Sequence, residues 1–364
     1  MSRLNSILSK DNLSKKDLIY LLSLSDEKDI EELFKWANDL TIRNLGNEVY
    51  LRGLIEFSNV CSRDCKYCGI RKSNGKVNRY TMENSEIIKA ARWIYKRGFG
   101  SLVLQSGERS DSRFIEWVDH ILKEIKNISN GELGITLSVG EQTQETYKQW
   151  FDSGAHRYLL RVETTNQELY QKIHPAGYQL NQRIEALERI QKCHYQVGTG
   201  VMIGLPGQTI EDLADDIIFM KQKDIDMIGM GPYIPHDNTP MAKLVKNFNP
   251  EKQLQLALKM IAVTRIYLKD VNIASTTALG ALDQKGKRKG LECGANVIMP
   301  NLTPDKYQKE YKLYANKPEF LASLRKDFKA LKSEIKAAGK NIGFNKWGDS
   351  PHYFKRTKKE RIEN

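Results

Sequence analysis

The feature that most constrains this chain is a repeated alternation of short apolar segments with longer amphipathic stretches. The amphipathic stretches, such as 84–98, 112–127 and 209–224, carry apolar residues at helical spacing. The apolar segments lie at 51–58, 101–106, 133–139, 157–163, 197–204, 225–233, 272–277 and 294–300. Parallel strands that are buried on both faces need crossover helices outside the sheet. The order therefore predicts an α/β fold, namely a full (βα)8 TIM-type barrel.

Two further segments flank the alternation. Residues 11–45 carry apolar residues at helical spacing, and the residues after the last predicted strand form a charged helical tail. We therefore predict an N-terminal helical segment at 1–50, the barrel at 51–316 and a C-terminal helical extension at 317–364. No internal repeat or low-complexity linker separates them.

Composition argues against several classes of protein. No run approaches the roughly 18 apolar residues of a membrane span. The first residues scatter charge through their apolar positions, unlike a signal peptide. We therefore expect a cytoplasmic protein with no membrane partner. The net charge of +12 permits nucleic-acid binding, but the excess is spread along the chain and no separate aromatic and basic module is present. We therefore expect no nucleic-acid partner, and an anionic substrate is the other use of this charge.

Three of the five cysteines lie within eight positions, in the stretch CSRDCKYC. Cys61, Cys65 and Cys68 directly follow the first predicted strand, so they should lie at the mouth of the barrel, where such folds carry their chemistry. A structural zinc ion needs four ligands. Cys193 and Cys293 are distant in sequence and fit better as small buried side chains. Three thiolates suit a [4Fe–4S] cluster with one iron left without a protein ligand.

The spacing C-x3-C-x-aromatic-C resembles the signature of the radical S-adenosylmethionine (SAM) superfamily. That resemblance implies one [4Fe–4S] cluster on the three cysteines and reductive cleavage of SAM to a 5′-deoxyadenosyl radical. It also implies that an external electron donor reduces the cluster. The residues that it assigns to the cofactor pocket are Tyr67, Gln105, Ser106, Gly107, Glu108, Ser138, Glu163, Arg183 and Ile203. For Arg183, spacing alone favours a surface ion pair with Glu185 or Glu188 on the same helix.

Longer stretches, among them LVLQSGE, RYLLRVETTN, GLPGQTIEDLADDI and CGANVIMPNLTP, resemble FeFe-hydrogenase maturases of the HydE type. The resemblance spans about residues 12–350 and implies steps toward the dithiomethylamine bridge of the diiron subcluster. It implies a small iron–cysteine complex with carbonyl and cyanide ligands as substrate. Its partners would be the other maturases, a tyrosine-cleaving radical SAM enzyme and a GTPase scaffold. The implied substrate residues are Thr136, Arg161, Met227, Thr276, Thr277, Met299, Tyr311 and Tyr314.

Several alternatives stay open at this point. Met227 and Met299 lie in apolar strands and could simply fill the core. Arg161 could pair with Glu163 instead of substrate, and His236 could be structural. Some members of the group carry a second cluster on C-terminal cysteines, but residues 317–364 contain none, so we predict a single cluster.

Other functions compete with hydrogenase maturation. A methylornithine-synthase-like mutase acting on an amino acid would share the cluster and cofactor pocket. Sulfur insertion of the biotin-synthase type would need additional interior cysteines. A binding module without catalysis would not cleave SAM.

Overall fold

A computed structural model of the chain describes residues 2–315, 317 and 324–363. Eight parallel strands form a closed barrel, because the last strand pairs with the first through Tyr50 opposite Val297 and Leu51 opposite Ile298. The barrel strands are β1 Glu48–Ser58, β2 Ser101–Ser106, β3 Gly134–Ser138, β4 Ala155–Leu159, β5 Gln196–Thr199, β7 Met227–Ile228, β9 Asn272–Ser275 and β10 Val297–Ile298. Three short strands lie outside the ring: β6 Met202–Ile203, β8 Gly231–Pro232 and β11 Asn341–Ile342. The predicted (βα)8 barrel is confirmed.

Helices surround the barrel and cover the outer faces of its strands. In α5, which spans Ser112–Ile128, Phe114, Val118 and Ile121 recur at helical spacing and are buried. Asp111 caps the first turn by accepting from Phe114 N at 3.1 Å. The helices between strands are α4 Asn84–Lys96, α5 Ser112–Ile128, α6 Gln144–Asp152, α7 Gln167–Ile173, α8 Leu180–Lys192, α9 Ile210–Gln222, α10 Pro250–Leu268, α11 Thr277–Leu282, α12 Gly286–Glu292 and α13 Asp305–Gln308. A short 3-10 helix spans Pro240–Leu244.

The N-terminal helices pack against one side of the barrel. They are α1 Arg3–Leu8, α2 Lys15–Leu22 and α3 Glu27–Leu45. Helix α3 lies against α10, and α2 lies against α9 and α10. Two polar contacts fix this packing: Lys259 donates to the Leu24 carbonyl at 2.8 Å, and Thr41 donates to the Gly294 carbonyl at 3.2 Å. None of the helices described has the length and apolar character needed to span a membrane.

The C-terminal part contains more than the predicted helices. It has α14 Leu324–Ala337 and α15 Pro351–Glu363, but β11 adds a parallel strand beside β1 between them. Residues 347–350 then cross the lower end of the barrel, where Asp349 contacts the fully buried Arg157. The predicted boundary at 316 falls on a residue outside the described part of the chain, so that division stays a prediction.

Several predicted strands are shorter than expected. The predicted fourth strand reached residue 163, but β4 ends at Leu159, and Glu163 has a left-handed φ of 68°. The predicted fifth and sixth strands are each divided in two, as β5 with β6 and β7 with β8. In all three cases the apolar pattern continues past the residues that pair within the barrel.

Candidate active site

The carboxyl ends of the barrel strands surround a cavity of about 300 Å³. Most of the residues that the sequence singled out line this one space. They are Cys61, Cys65, Tyr67, Cys68, Gln105, Ser106, Gly107, Glu108, Ser138, Arg161, Glu163, Arg183, Thr276, Thr277, Met299, Tyr311 and Tyr314. The barrel thus brings together residues from six different strand ends, from α8 and from the segment after α13.

The cysteine loop after β1 is tied to its surroundings through its backbone. Lys66 N donates to the Ile173 carbonyl at 2.8 Å, and Gly69 N donates to the Leu313 carbonyl at 3.0 Å. The Arg79 guanidinium donates to the Ile70 carbonyl at 2.7 Å. These bonds come from both sides of the mouth, so they hold the loop in place.

The three thiols have the donor chemistry of an iron–sulfur site. Cys61 Sγ accepts backbone N–H groups of Arg63 and Glu108, each at 3.4 Å. Burial raises the pKa of Cys65 to about 12, and it also raises those of Cys61 and Cys68. Iron that bound these thiols would therefore displace their protons. Within residues 2–315, 317 and 324–363, no three His, Cys, Asp or Glu side chains form a site for a single metal ion. A cluster does not require such convergence, because each thiolate binds a different iron.

Gly107 allows the strand end of β2 to approach the cysteine loop closely. A Cβ atom at this position would lie 2.4 Å from the Val60 carbonyl oxygen and 2.7 Å from Cys61 Cβ. Only glycine fits that gap without moving backbone. The next residue, Glu108, is 9% exposed and forms an ion pair with Arg63. Burial raises the pKa of Glu108, although Arg183 and Arg63 act in the opposite direction.

Gly140, after β3, was not predicted from the sequence. Its φ is 84°, and a Cβ atom there would lie 2.1 Å from Glu108 Cγ. The glycine therefore serves two purposes, since it adopts a left-handed backbone and leaves room for the glutamate. A glycine after a predicted strand was the only signal available, and it is too common to single out.

Arg183 lies at the cavity and is not the surface residue that spacing alone favoured. It is 9% exposed, and its Nε donates to Glu141 Oε1 at 2.5 Å. Its Nη1 donates to the Arg161 carbonyl at 2.6 Å. Burial lowers the pKa of Arg183, but the nearby carboxylate of Glu141 and other acidic groups raise it above the usual value. Glu141 comes from the loop after β3 and was missed, because a lone loop glutamate carries no pattern.

Arg161 and Glu163 are in contact, with Arg161 Nη2 3.0 Å from Glu163 Oε2. Both were predicted to lie within the fourth strand, at 157–163, but both lie beyond the end of β4. The contact is an ion pair without hydrogen-bond geometry, so the buried Glu163 Oε2 and Arg161 Nε both lack a hydrogen-bond partner. Burial raises the pKa of Glu163, while Arg161 lowers it. Both atoms are therefore available to hydrogen-bond water or a polar ligand.

A second charged pair lines the opposite part of the cavity. The Lys317 ammonium contacts Glu56 and donates to the Tyr311 carbonyl at 2.7 Å. Glu56 is 1% exposed and also accepts from Asn301 Nδ2 at 2.9 Å. Neither member of the pair was predicted, because Glu56 lies in an apolar strand and Lys317 among many surface lysines. On the same side, Tyr311 accepts from Gln105 at 3.4 Å.

Three predicted site residues lie outside the main cavity. Thr136 and Met227 line a smaller cavity of about 20 Å³ below it, where the Met227 sulfur accepts from Arg52 at 3.0 Å. The two cavities are adjacent, because Met299 lines both. Ile203 is fully buried in β6 and does not line the cavity, whereas its neighbour Met202 does.

Known proteins resemble this chain in sequence and in fold. The family model of the radical SAM superfamily matches residues 55–220. The [FeFe] hydrogenase maturase subunit HydE of Thermotoga maritima is 43% identical over 311 residues, which are 85% of this chain and 86% of that protein. The 3-methylornithine synthase of Methanosarcina acetivorans is 28% identical over 338 residues, 92% of this chain and 90% of that protein.

Two solved structures have a similar fold. The crystal structure of methylornithine synthase (PylB) matches with a TM-score of 0.81 at 25% identity, over 94% of this chain and 98% of that chain. The FeFe-hydrogenase maturase HydG from Carboxydothermus hydrogenoformans matches with a TM-score of 0.78 at 19% identity, over 96% of this chain and 81% of that one. The HydG match concerns the fold alone.

Proposed function

We propose, because this chain belongs to the radical SAM superfamily and within it to the family of the maturase HydE, that it helps to assemble the diiron subcluster of FeFe hydrogenase. It is a radical SAM enzyme, with one [4Fe–4S] cluster and SAM as its cofactors. In our proposal it acts in the steps toward the dithiomethylamine bridge. The observation that carries this proposal is the 43% identity to HydE over 85% of the chain.

The cofactor residues fit the groups that they would hold. Cys61, Cys65 and Cys68 would bind the cluster, since their thiols line one wall of the cavity. When bound, the reduced cluster and SAM supply an electron and a 5′-deoxyadenosyl radical. Glu108 would accept from the methionine ammonium group, and its burial strengthens that contact.

The remaining cofactor contacts follow from atoms that lack partners or carry charge. Glu163 Oε2 is buried without a hydrogen bond, so it can accept from a ribose hydroxyl. Arg183 would hold the methionine carboxylate by charge-assisted hydrogen bonds while Glu141 fixes its orientation. The residues proposed to complete this pocket are Tyr67, Gln105, Ser106, Gly107, Ser138 and, behind the cavity wall, Ile203.

The substrate would occupy the part of the cavity between Arg161 and the segment that carries Tyr311 and Tyr314. Arg161 would bind an anionic group of the substrate, because its Nε lacks a partner. The Thr276 hydroxyl, which also lacks a partner, can orient a polar ligand. Thr277 and Met299 line the same space. Thr136 and Met227, in the smaller cavity, would contact only a group that extends below the main one.

The proposed substrate is a small iron–cysteine complex with carbonyl and cyanide ligands. A cavity of about 300 Å³ has the size of a small-molecule site. The proposed partners are two other maturases, a tyrosine-cleaving radical SAM enzyme and a GTPase scaffold, together with an external electron donor. We place the reaction in the cytoplasm, where the cluster thiols stay reduced.

The choice of substrate distinguishes this proposal from a second candidate, a mutase that acts on an amino acid. The 28% identity to 3-methylornithine synthase supports that second candidate. Reconstituted protein is incubated under anaerobic conditions with SAM, reductant and either the iron–cysteine complex or L-lysine. We expect the complex to accelerate formation of 5′-deoxyadenosine and to be consumed, and L-lysine to have no effect. If L-lysine is converted to methylornithine and the complex is unchanged, the proposal of hydrogenase assembly is wrong and the mutase function is supported. The Cys65→Ala variant is the control for cluster-independent cleavage.

A further inference from the structure

The outer side of the cysteine loop carries an excess of positive charge. Residues 61–81 contain six Lys or Arg and one Asp, and of the six only Arg63 faces the cavity, where it pairs with Glu108. That Asp64 pairs with Arg71 at 2.7 Å, and Arg79 is occupied by backbone carbonyls. Lys72 and Lys76 are exposed and form no ion pair with any carboxylate among the residues described. Their charge is therefore free to attract an acidic partner.

Two other segments adjoin the same loop and extend this charge. The 3-10 helix Pro240–Leu244 lies beside it, since Met241 N donates to the Lys66 carbonyl at 3.2 Å. That helix and the residues after it expose Lys243 and Lys246. On the other side, a Cβ atom at Gly69 would lie 2.0 Å from the Lys312 carbonyl oxygen, and the Lys312 side chain is exposed.

The same surface exposes apolar side chains. Leu244 is 65% exposed and Phe248 is 37% exposed, and these are two of the five large hydrophobic residues that stand out as exposed in the described part of the chain. Apolar anchors inside a charged rim are typical of protein–protein interfaces. A small anion could use the lysines, but it would have no use for Leu244. The combination therefore favours a protein partner.

We propose that this surface docks an acidic protein that carries one electron at a time to the cluster. We call it the basic face and define it by Lys72, Lys76, Lys243, Leu244, Lys246 and Lys312. The proposal rests on membership of the radical SAM superfamily and does not depend on the hydrogenase substrate. Cys61, Cys65 and Cys68 belong to the same loop as Lys72 and are half-buried, so a carrier seated here would lie beside the cluster that we propose for them. Electron transfer slows steeply with distance, so docking beside the loop that carries the three cysteines favours it.

The charge of the face determines how the carrier would bind. Opposite charges steer encounter, and such association weakens as salt screens them. Electron-transfer partners typically form small and short-lived interfaces. We therefore expect a complex of modest affinity that is strongly dependent on ionic strength, with Leu244 affecting affinity but not its salt dependence.

The test uses reconstituted holoenzyme, with an acidic flavodoxin as the probe. The variant Lys72→Glu/Lys76→Glu/Lys243→Glu/Lys246→Glu reverses four charges of the basic face. Calorimetry gives the flavodoxin dissociation constant at low and high salt. Cluster absorbance gives the rate of reduction by reduced flavodoxin and, separately, by dithionite. We expect at least tenfold weaker binding at low salt and slower reduction by flavodoxin, with an unchanged rate for dithionite.

Matched variants separate docking from a general effect of net charge. Lys28→Glu/Lys89→Glu changes two exposed lysines on α3 and α4, away from the face, and is compared with Lys243→Glu/Lys246→Glu. We expect the first pair to bind flavodoxin like the unchanged protein. Equal losses in the two pairs, or flavodoxin binding within twofold of normal in the fourfold variant, would overturn the proposal. If charge reversal lowers iron loading, the corresponding Lys→Gln variants provide the same comparison.

Discussion

Replacing Asp349 by alanine should destabilise the barrel by removing the only carboxylate that we find on Arg157 in the described part of the chain. The Arg157 side chain is 0% exposed, and its other contact through Nη2 is the Trp347 carbonyl at 2.6 Å. Breaking a buried ion pair by removing one partner costs about 3–5 kcal/mol, because the remaining charge stays buried. Gln196 would also lose its acceptor, Asp349 Oδ1, now at 2.6 Å. We therefore expect a loss of about 4 kcal/mol or more, a large share of a typical stability.

Thermal unfolding of the reconstituted protein, followed by circular dichroism without oxygen, measures this loss. We expect Tm to fall by roughly 5–10 °C. Asp152→Ala is the matched control, because it breaks an exposed pair in which Lys148 is 71% and Asp152 59% exposed. Such pairs contribute about 0.5 kcal/mol or less. Asp349→Asn should lie between the two, since the amide keeps a hydrogen-bond acceptor.

The dependence on pH provides a second check of the same reasoning. Burial raises the pKa of Asp349, but the contact with His156, the charge of Arg157 and the hydrogen bond from Gln196 outweigh it and hold the pKa below its usual value. A lowered pKa gives stability that is present above the unfolded value of about 4 and is lost as pH falls. The difference in the free energy of unfolding between the unchanged protein and Asp349→Ala should therefore be constant from pH 5 to 8 and shrink only in strong acid. A Tm for Asp349→Ala within 2 °C of the Asp152→Ala control would refute the account of the barrel's lower end.

Three further predictions concern the site and its supports. Arg161→Leu should keep the SAM dissociation constant within threefold while Glu163→Gln raises it at least tenfold; equal losses would mean that Arg161 only positions Glu163. Gly140→Ala should weaken SAM binding about tenfold, because its methyl group collides with the carboxylate proposed to hold the methionine ammonium group. Gly131→Ala has a similar φ of 78° but open space, so it should affect stability alone. Burial raises the pKa of Asp216 to about 7, so its contribution to stability is lost as pH rises from about 4 to 7. As pH rises from 5 to 8, the free energy of unfolding of Asp216→Asn should therefore increase by about 2–3 kcal/mol relative to that of the unchanged protein, as measured by urea unfolding. A difference between the two proteins that does not change with pH would contradict the raised pKa of Asp216.

The barrel could be predicted from sequence because its strands are largely buried on both faces and most of the covering helices on one. Helix α10 is the exception, since it also packs against the N-terminal helices and its second half is buried all round. The second strand was predicted at 101–106 and is observed as Ser101–Ser106. The fourth was predicted too long, because Leu160 and Val162 continue the alternation after barrel pairing stops. The apolar pattern of the sequence shows which side chains are buried, but it does not show where a strand stops pairing with its neighbours.

The site was predictable to the extent that it depends on short-range spacing. The three cysteines form a local pattern, and the strand ends placed Glu108 and Arg161 at one mouth. Contacts between distant loops leave no such pattern. The pair of Glu141 with Arg183 spans 42 positions, and that of Glu56 with Lys317 spans 261. One sequence does not reveal which polar residues meet across those separations.

Hydrogenase assembly by this protein is tested by activation of FeFe hydrogenase in a maturation mixture that lacks only a HydE-type maturase. The assay follows hydrogen evolution after this protein, reconstituted with iron and sulfide, is added together with SAM and reductant. We expect activation by the unchanged protein and none by Cys65→Ala, which removes one thiol of the proposed cluster site. Absence of activation by protein that still cleaves SAM, or equal activation by Cys65→Ala, would contradict the proposed role in hydrogenase assembly.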